Sequence, residues 1–248
     1  MLQHSARPAT RAPPDADESV ALHSIAQPRC FGRDQEIYRQ GDRSVGWYRV
    51  MSGAARQYLL RADGRRQIVD IHLPGDLFGF AGDGRHRFGE EALAEGTLVC
   101  FYALHRIAEL IDKNPEVARE IRMRNFETIE RLQEQMLILG AITARRKVHA
   151  FLTYICQRLS PGDADGATLP ISRYDIADLL GLSSETVCRA FTDLQRSGAI
   201  ELDGPRQIRL IKPIPDSDLV PIERMSDPER PRDRQAVTSG PLPLPALG

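Results

Sequence analysis

Apolar and polar positions change their period along this chain, and the changes divide it. From about Arg29 to Tyr102 the apolar residues fall in short runs, among them Trp47 to Val50, Arg56 to Leu60 and Gln67 to Leu73. Turn pairs separate the runs: Gly41-Asp42, Ser52-Gly53, Asp63-Gly64 and Gly75-Asp76. Regular short strands broken by such turns predict an antiparallel sandwich or roll. Gly82 to Glu91 reads as a long loop and Gly96 to Ala103 as a closing strand. From Pro115 to about Leu139 the period becomes that of a helix, with no internal Gly or Pro. Such a helix is about 37 Å long. Val117, Ile121, Ile129, Leu132, Met136 and Leu139 make one apolar stripe, and Phe126 and Leu137 lie on another side. Two apolar sides predict that one packs on the chain's own β domain and the other pairs with a second copy. Burial of the whole helix within one chain is the alternative.

Beyond Gly140 the helical period continues over residues 145–159, with Val148, Phe151, Leu152, Ile155 and Leu159 on its core side. A polar loop, Ser160 to Gly166, follows. Ile171 to Glu201 then reads as two helices around a glycine turn. Ser172 caps the first, with Asp175 in the capping-box position; Gly181 ends it and Ser183 caps the second. Val187, Ala190, Phe191 and Leu194 share one side of that second helix, and Glu185, Cys188, Arg189, Thr192 and Arg196 share the other. This is the form of a DNA-binding helix-turn-helix, and an ordinary amphipathic helix pair has the same pattern. Leu169–Ile171, Ala199–Leu202 and Gln207–Ile211 are expected to form a small sheet, with a turn at Asp203-Gly204-Pro205, which would make the unit a winged helix. A short helix is expected near Val20 to Ile25.

The remaining pattern is polar and rich in proline. Residues 1–27 read as a flexible arm. The last 36 residues hold eight of the 17 prolines and read as a tail without regular structure. The expected division is therefore 1–27 arm, 28–114 β domain, 115–139 dimerisation helix, 140–212 winged helix-turn-helix and 213–248 tail.

Composition adds little to this picture. With 248 residues, 42% hydrophobic and 27% charged, the chain has the make-up of a soluble globular protein. It shows no apolar run of membrane-spanning length and no signal-peptide core, so a cytoplasmic location and no membrane partner are expected. The net charge of −1 does not announce a nucleic-acid binder. From Gly140 to Lys212 ten Lys/Arg face eight Asp/Glu, so DNA affinity must come from local placement. Cys30, Cys100, Cys156 and Cys188 stand far apart, with none of the spacings of a metal or cluster site, so no metal and no cofactor are expected. Glu90, Glu91 and the scattered histidines show no nucleophile–base spacing, which argues against an enzyme.

A β-roll, a long helix and a winged helix-turn-helix, in that order from Phe31 to Lys212, resemble the Crp/Fnr superfamily of bacterial transcription regulators. Leu169 to Ile200 carries the strongest local likeness. Its Glu185-Thr186-Val187-Cys188-Arg189 core resembles the E-x-x-S-R reading motif of the Fnr and FixK branches, with cysteine in place of serine, and Met136 to Leu152 resembles the junction of the same branch. FixK-like members are the best match, some of which carry a cysteine there.

The resemblance implies an α+β fold with a cyclic-nucleotide-binding-like roll, a homodimer, RNA polymerase as a partner, and double-stranded DNA of the form TTGAT-N4-ATCAA as the target. Activation is the expected sense of regulation. Glu185, Cys188 and Arg189 would read bases; Arg173, Ser184, Thr192 and Arg196 would hold phosphates; Val117, Ile121, Ile129, Leu132, Met136 and Leu139 would form the dimer interface. A cyclic-nucleotide pocket in this superfamily has a Glu after the GD-x-x-G turn and then an Arg-Ser pair. Here Gly75-Asp76-Leu77-Phe78-Gly79 is followed by Phe80, and Gly89-Glu90-Glu91 stands where the pair would fall, so no cAMP binding is expected. Cys30 alone cannot supply the N-terminal cysteine cluster of the oxygen-sensing members, and His72, His86 and His105 are too scattered to suggest haem. A small-molecule sensor with another ligand stays open as an alternative. Cys188, beside Arg189 near a helix N-terminus, is the candidate redox-sensitive residue.

Overall fold

Strand after strand between residues 27 and 103 pairs antiparallel, because the turn pairs reverse the chain before a strand exceeds seven residues. A computed structural model describes residues 20–160 and 166–211. Most of the expected arm, all of the expected tail and part of the polar loop after Ser160 lie outside the described residues.

The described chain begins with α1 (Val20–Ile25), β1 (Gln27–Phe31), β2 (Glu36–Tyr38), β3 (Gly46–Ser52), β4 (Ala55–Leu60) and β5 (Arg66–His72). There follow β6 (Leu77–Phe78), β7 (Gly89–Ala92) and β8 (Thr97–Ala103). They form two four-stranded sheets of order β1-β8-β3-β6 and β2-β7-β4-β5. Phe31, Tyr38, Tyr48, Val50, Ala55, Phe78, Ala92, Val99, Phe101 and Ala103 pack together as the core of this roll. The rings of Tyr48 and Phe78 stack 5.4 Å apart, and His86 stacks on Tyr38 at 3.8 Å. Position 46 must be glycine: a Cβ there would lie 2.2 Å from the Phe101 ring and 2.4 Å from the Tyr102 carbonyl oxygen.

β7 takes up the end of the stretch Gly82 to Glu91, which was expected to be a loop. Two adjacent glutamates suggest solvent, yet both are buried here. Each is matched by cationic side chains drawn from other strands, which the local pattern cannot reveal.

α2 (Leu104–Lys113) was also not expected; Ile107 is its buried residue, with Leu110 and Ile111 packed beside it. α3 (Pro115–Gly140) then runs for 26 residues, with Pro115 in its first turn. Its apolar stripe divides. Val117 and Ile121 are buried with Leu22, Cys100, Tyr102 and Ile107 in a second core of the same chain, so they are not available to a partner, contrary to the expected interface. The physical reason is that α1, α2 and β8 close over the first turns of α3. Further along, Arg131 and Ile138 are buried, and Arg131 reaches Asp70 of the roll. Ile129, Leu132, Met136 and Leu139 stay exposed, as do Met123, Phe126 and Leu137.

α4 (Ala144–Leu159) buries Val148, Phe151, Leu152 and Ile155. It is followed by β9 (Ala167–Thr168), α5 (Arg173–Leu180), α6 (Ser184–Arg196), β10 (Ile200–Leu202) and β11 (Gln207–Leu210). The three strands form an antiparallel sheet of order β10-β11-β9. The strand leading into α5 is Ala167–Thr168, not Leu169–Ile171 as expected, although the Leu169 N–H still donates to the Arg206 carbonyl at 2.9 Å. Leu169 and Ile171 are buried instead, as anchors for the start of α5. α6 packs on α4 and α5, and α5 packs on β5 of the roll. An antiparallel roll, a long helix and a winged helix-turn-helix, as the sequence pattern suggests, make the α+β architecture.

Candidate nucleic-acid interface

The helix pair is assembled from local signals. Ser172 Oγ accepts from the Asp175 backbone N–H at 3.2 Å, and Asp175 Oδ2 accepts from the Ser172 N–H at 3.0 Å, a complete capping box. Gly181 ends α5 in the left-handed region at φ 64°, where a side chain would be strained. The chain turns at once, and Ser183 Oγ accepts from the Thr186 N–H at 3.2 Å to cap α6. The short turn fixes the angle between the helices, and Val187, Ala190, Phe191 and Leu194 seat α6 in the core.

The opposite face of α6 is open. Glu185, Cys188, Arg189, Thr192 and Arg196 are all exposed. Arg189 Nη2 donates to Glu185 Oε2 at 3.4 Å, one turn apart. Both side chains are more than 70% exposed, so this pair contributes little to stability and leaves the guanidinium free to change partners. The Arg173 guanidinium lies 4.6 Å from the Phe191 ring centre, and its Nη1 is 4.0 Å from Cys188 Sγ. Arg173 therefore flanks the Cys188 side chain across the groove between the helices. Ser184 is half-buried in the first turn of α6. The Thr192 hydroxyl donates back to the Cys188 carbonyl at 3.1 Å, which turns it partly toward its own helix. Tyr174, 76% exposed at the start of α5, is a neighbour that the sequence pattern did not single out. Only its position two residues after the cap could have flagged it.

The roll holds the second group of candidate residues. Glu90 is fully buried and faces the roll interior: Tyr38 and Gln57 donate to its Oε2 at 3.2 and 3.4 Å, and its Oε1 lies 2.8 Å from His72 Nδ1. His72 Nε2 lies 3.3 Å from Asp70. Burial would push the His72 pKa down, but the Glu90 and Asp70 carboxylates outweigh burial and hold it up at about 10, so the ring is an imidazolium. Burial raises the Glu90 carboxyl, with His72 opposing it. Glu91, on the other face, accepts from Arg56 Nε and Arg66 Nη1, each at 2.5 Å. Among the described residues, no three His, Cys, Asp or Glu side chains cluster to hold a metal. His86 is stacked on Tyr38, and burial lowers its pKa. Cys100 and Cys156 are buried, and Cys30 and Cys188 are exposed. No described helix is long and apolar enough to cross a membrane.

Comparison with known proteins agrees with this geometry. Residues 28–114 match the cyclic nucleotide-binding domain family and residues 146–213 the Crp-like helix-turn-helix domain family. The nitrogen fixation regulation protein FixK of Rhizobium meliloti is 40% identical over 179 residues, which is 72% of this chain and 80% of the relative. The transcriptional activatory protein AadR of Rhodopseudomonas palustris is 36% identical over 205 residues, 81% of this chain and 83% of its own. Among solved structures, FixK2 from Bradyrhizobium japonicum superposes with a TM-score of 0.69 at 36% identity, covering 76% of this chain and 93% of that one. These relatives are regulators of transcription, not enzymes. The chain belongs to the Crp/Fnr superfamily of DNA-binding transcription regulators, in its FixK-like branch.

Proposed function

We propose that this chain is a transcription activator that works as a homodimer on a palindromic TTGAT-N4-ATCAA-like site, without cAMP, and loses DNA binding when Cys188 is oxidised. The observation that carries the reading is the open face of α6, where Glu185, Cys188 and Arg189 stand together within the first two helical turns. Side chains at that end of a second helix are the ones that reach base edges in the major groove. Arg189 offers a planar fork to guanine O6 and N7, and Glu185 accepts from a cytosine or adenine amino group. Arg173, Ser184, Thr192 and Arg196 surround them as phosphate contacts, which position the protein without specifying sequence. The exposed residues Ile129, Leu132, Met136 and Leu139 succeed one another by three, four and three residues, the spacing of a coiled-coil seam, and support pairing of α3 with a second copy. The likeness to AadR, a transcriptional activatory protein, supports activation, and RNA polymerase is the protein partner that an activator requires. A cytoplasmic location fits a regulator of this kind.

Independence from cAMP is supported by what occupies the corresponding part of the roll. The Glu90 carboxylate stands there, fully buried in the roll interior against His72, and a cyclic phosphate would meet negative charge. The deciding experiment is selection of bound sites from random duplexes, with and without cAMP and with peroxide-treated protein in parallel. Enrichment of the palindrome without cAMP, lost after peroxide, is the expected result. A requirement for cAMP, or enrichment of an unrelated sequence, would overturn the corresponding part.

A further inference from the structure

Glu90 and Glu91 are neighbours on β7, and their side chains leave opposite faces of one sheet. The inner path runs from Glu90 through His72 to Asp70, which accepts from Arg131 Nη1 and Gln135 Nε2 of α3 at 2.5 and 2.6 Å. The outer path runs from Glu91 to Arg56 and Arg66, whose guanidiniums reach on to Asp175 Oδ1 in α5 at 2.8 and 3.5 Å. A separate tie joins Arg158 of α4 to both carboxylate oxygens of Asp76, each at 2.6 Å, in the roll's Gly75-Asp76 turn. The roll is thus bonded to α3 through Asp70, to α4 through Asp76 and to α5 through Arg56 and Arg66.

The outer path is buried and directional. Arg56, Glu91 and Asp175 are each about a tenth exposed or less in their side chains. The Asp175 carboxylate is gripped from both sides: Oδ2 accepts from the Ser172 hydroxyl at 2.6 Å and serves the cap of α5, while Oδ1 accepts from the arginines. Paired guanidinium–carboxylate contacts fix orientation in a way that an apolar contact does not. With its capping residue fixed to the roll, α5 cannot rotate on β5 without breaking these bonds, and α6 follows α5 through the tight Gly181 turn.

We propose that Arg56 and Arg66 are positioning residues for DNA binding. By holding Asp175 against Glu91 they set the pitch of α6 relative to α3, and so determine which half-site spacing the dimer accepts. Neither arginine needs to touch DNA. The inference rests on the reading of α6 as a base-reading helix in a homodimer.

The test uses the full-length chain and fluorescence anisotropy with two kinds of duplex. One carries a single TTGAT half-site; the other carries inverted half-sites separated by roughly two to seven base pairs, each added pair turning one half-site by about 35°. The unmodified protein is expected to favour one spacer by about tenfold over its neighbours. Asp175→Asn keeps an oxygen for the cap and removes the charge that the arginines hold. Arg66→Gln changes a side chain that is one-third exposed and so spares the fold. In both variants the single half-site should bind within about twofold of the unmodified protein, while the spacer preference should flatten to about threefold or less. Retention of the sharp preference would overturn the proposal. Parallel loss of half-site and full-site binding would also overturn it, since that is what a purely local folding role produces. If Asp175→Asn fails to fold, Arg66→Gln decides by the same criteria. If the unmodified protein binds no duplex, the DNA-reading assignment itself falls, an outcome distinct from a flattened spacer profile.

Discussion

Arg131 Nη1, beyond the midpoint of α3, lies 2.5 Å from both carboxylate oxygens of Asp70 on β5. Both residues are buried, so each charge depends on the other for what water no longer supplies. Arg131→Met leaves Asp70 and the rest of its network without that cation. The expected cost is about 3–5 kcal/mol of folding stability, because a buried charge loses its partner. The double variant Asp70→Asn/Arg131→Met should be less destabilised than the sum of the two single changes. Denaturant midpoints of the four proteins measure this. A single variant within about 0.5 kcal/mol of the parent would show that the contact is not what holds α3 on the roll.

The same network makes stability fall on the alkaline side. His72 is held at about 10 in the folded protein, against 6.5 for the free side chain, by Glu90 of β7 and Asp70 of β5 acting against burial. The ring also stacks on Phe78 of β6 at 4.8 Å, Tyr38 of β2 donates to Glu90, and Arg131 of α3 closes the far side of Asp70. A group whose folded pKa is raised stabilises fully below its unfolded value and loses that contribution as pH rises through the folded one. The decline should therefore span pH 6.5 to about 10. Asp70 works in the opposite sense. Burial would raise it, yet His72 and Arg131 hold it well below the usual carboxylate range, so its contribution is lost only in strong acid. Urea midpoints from about pH 6 to pH 10 should fall steadily for the parent and much less for His72→Gln. Equal parent midpoints at about pH 6.5 and pH 9 would contradict this.

Arg189 and Arg196 should separate by the kind of binding they lose. Arg189→Ala is expected to weaken the palindrome by about 1–3 kcal/mol and to relax the choice of base at one position of each half-site. Arg196→Ala should weaken all duplexes alike and reduce the slope of affinity against salt by about one counterion per half-site. Anisotropy titrations against the palindrome, single-base variants and unrelated DNA, each at several salt concentrations, distinguish the two. Uniform weakening by Arg189→Ala would move it from base reading to phosphate contact.

For the dimer, Met136 is the sharpest probe, since it is 71% exposed in the isolated chain and stands in the proposed seam. Met136→Glu sets like charges against each other across a two-fold axis. It should yield a monomer by sedimentation, with the single half-site still bound and the palindrome bound no better than that half-site. An unchanged dimer would place the interface on another face of α3.

What could be read in advance followed how local each signal was. The capping bonds of Ser172, Asp175 and Ser183 and the turn at Gly181 form within four residues, so the helix pair and its open face are visible from periodicity and caps. Val117 and Ile121 shared a stripe with Ile129, but which parts of that stripe face the roll depends on α1, α2 and β8, elements distant in sequence. Glu90 and Glu91 were read as loop residues and as obstacles to a phosphate. Their structural roles depend on His72, Arg56, Arg66 and Asp175, up to 84 positions away in the chain. Long-range ionic partners leave no periodic trace, and so the ties between the roll and the helices appear only in three dimensions.

Cys188 offers the most direct test of regulation. It is exposed on the open face of α6, with Glu185 and Arg189 on the same face and Arg173 Nη1 4.0 Å from its sulfur. The other thiols differ. Cys100 is buried, and burial pushes the Cys156 thiol up to about 11, which keeps it in its unreactive form. Cys30 is exposed on β1 and is therefore the necessary control. Peroxide acting on Cys188 beyond the sulfenic stage leaves a sulfinic or sulfonic group, a fixed negative charge facing the phosphate backbone, and a thiol reductant does not reverse it. Treated parent protein should lose about tenfold or more in affinity for the palindrome and should not recover with dithiothreitol. Cys30→Ser should behave like the parent. Cys188→Ala should bind with or without peroxide, because no sulfur remains at the interface. If Cys188→Ala loses binding on the same peroxide dose, oxidation acts elsewhere in the chain, and Cys188 is simply a small residue standing where serine stands in related reading helices.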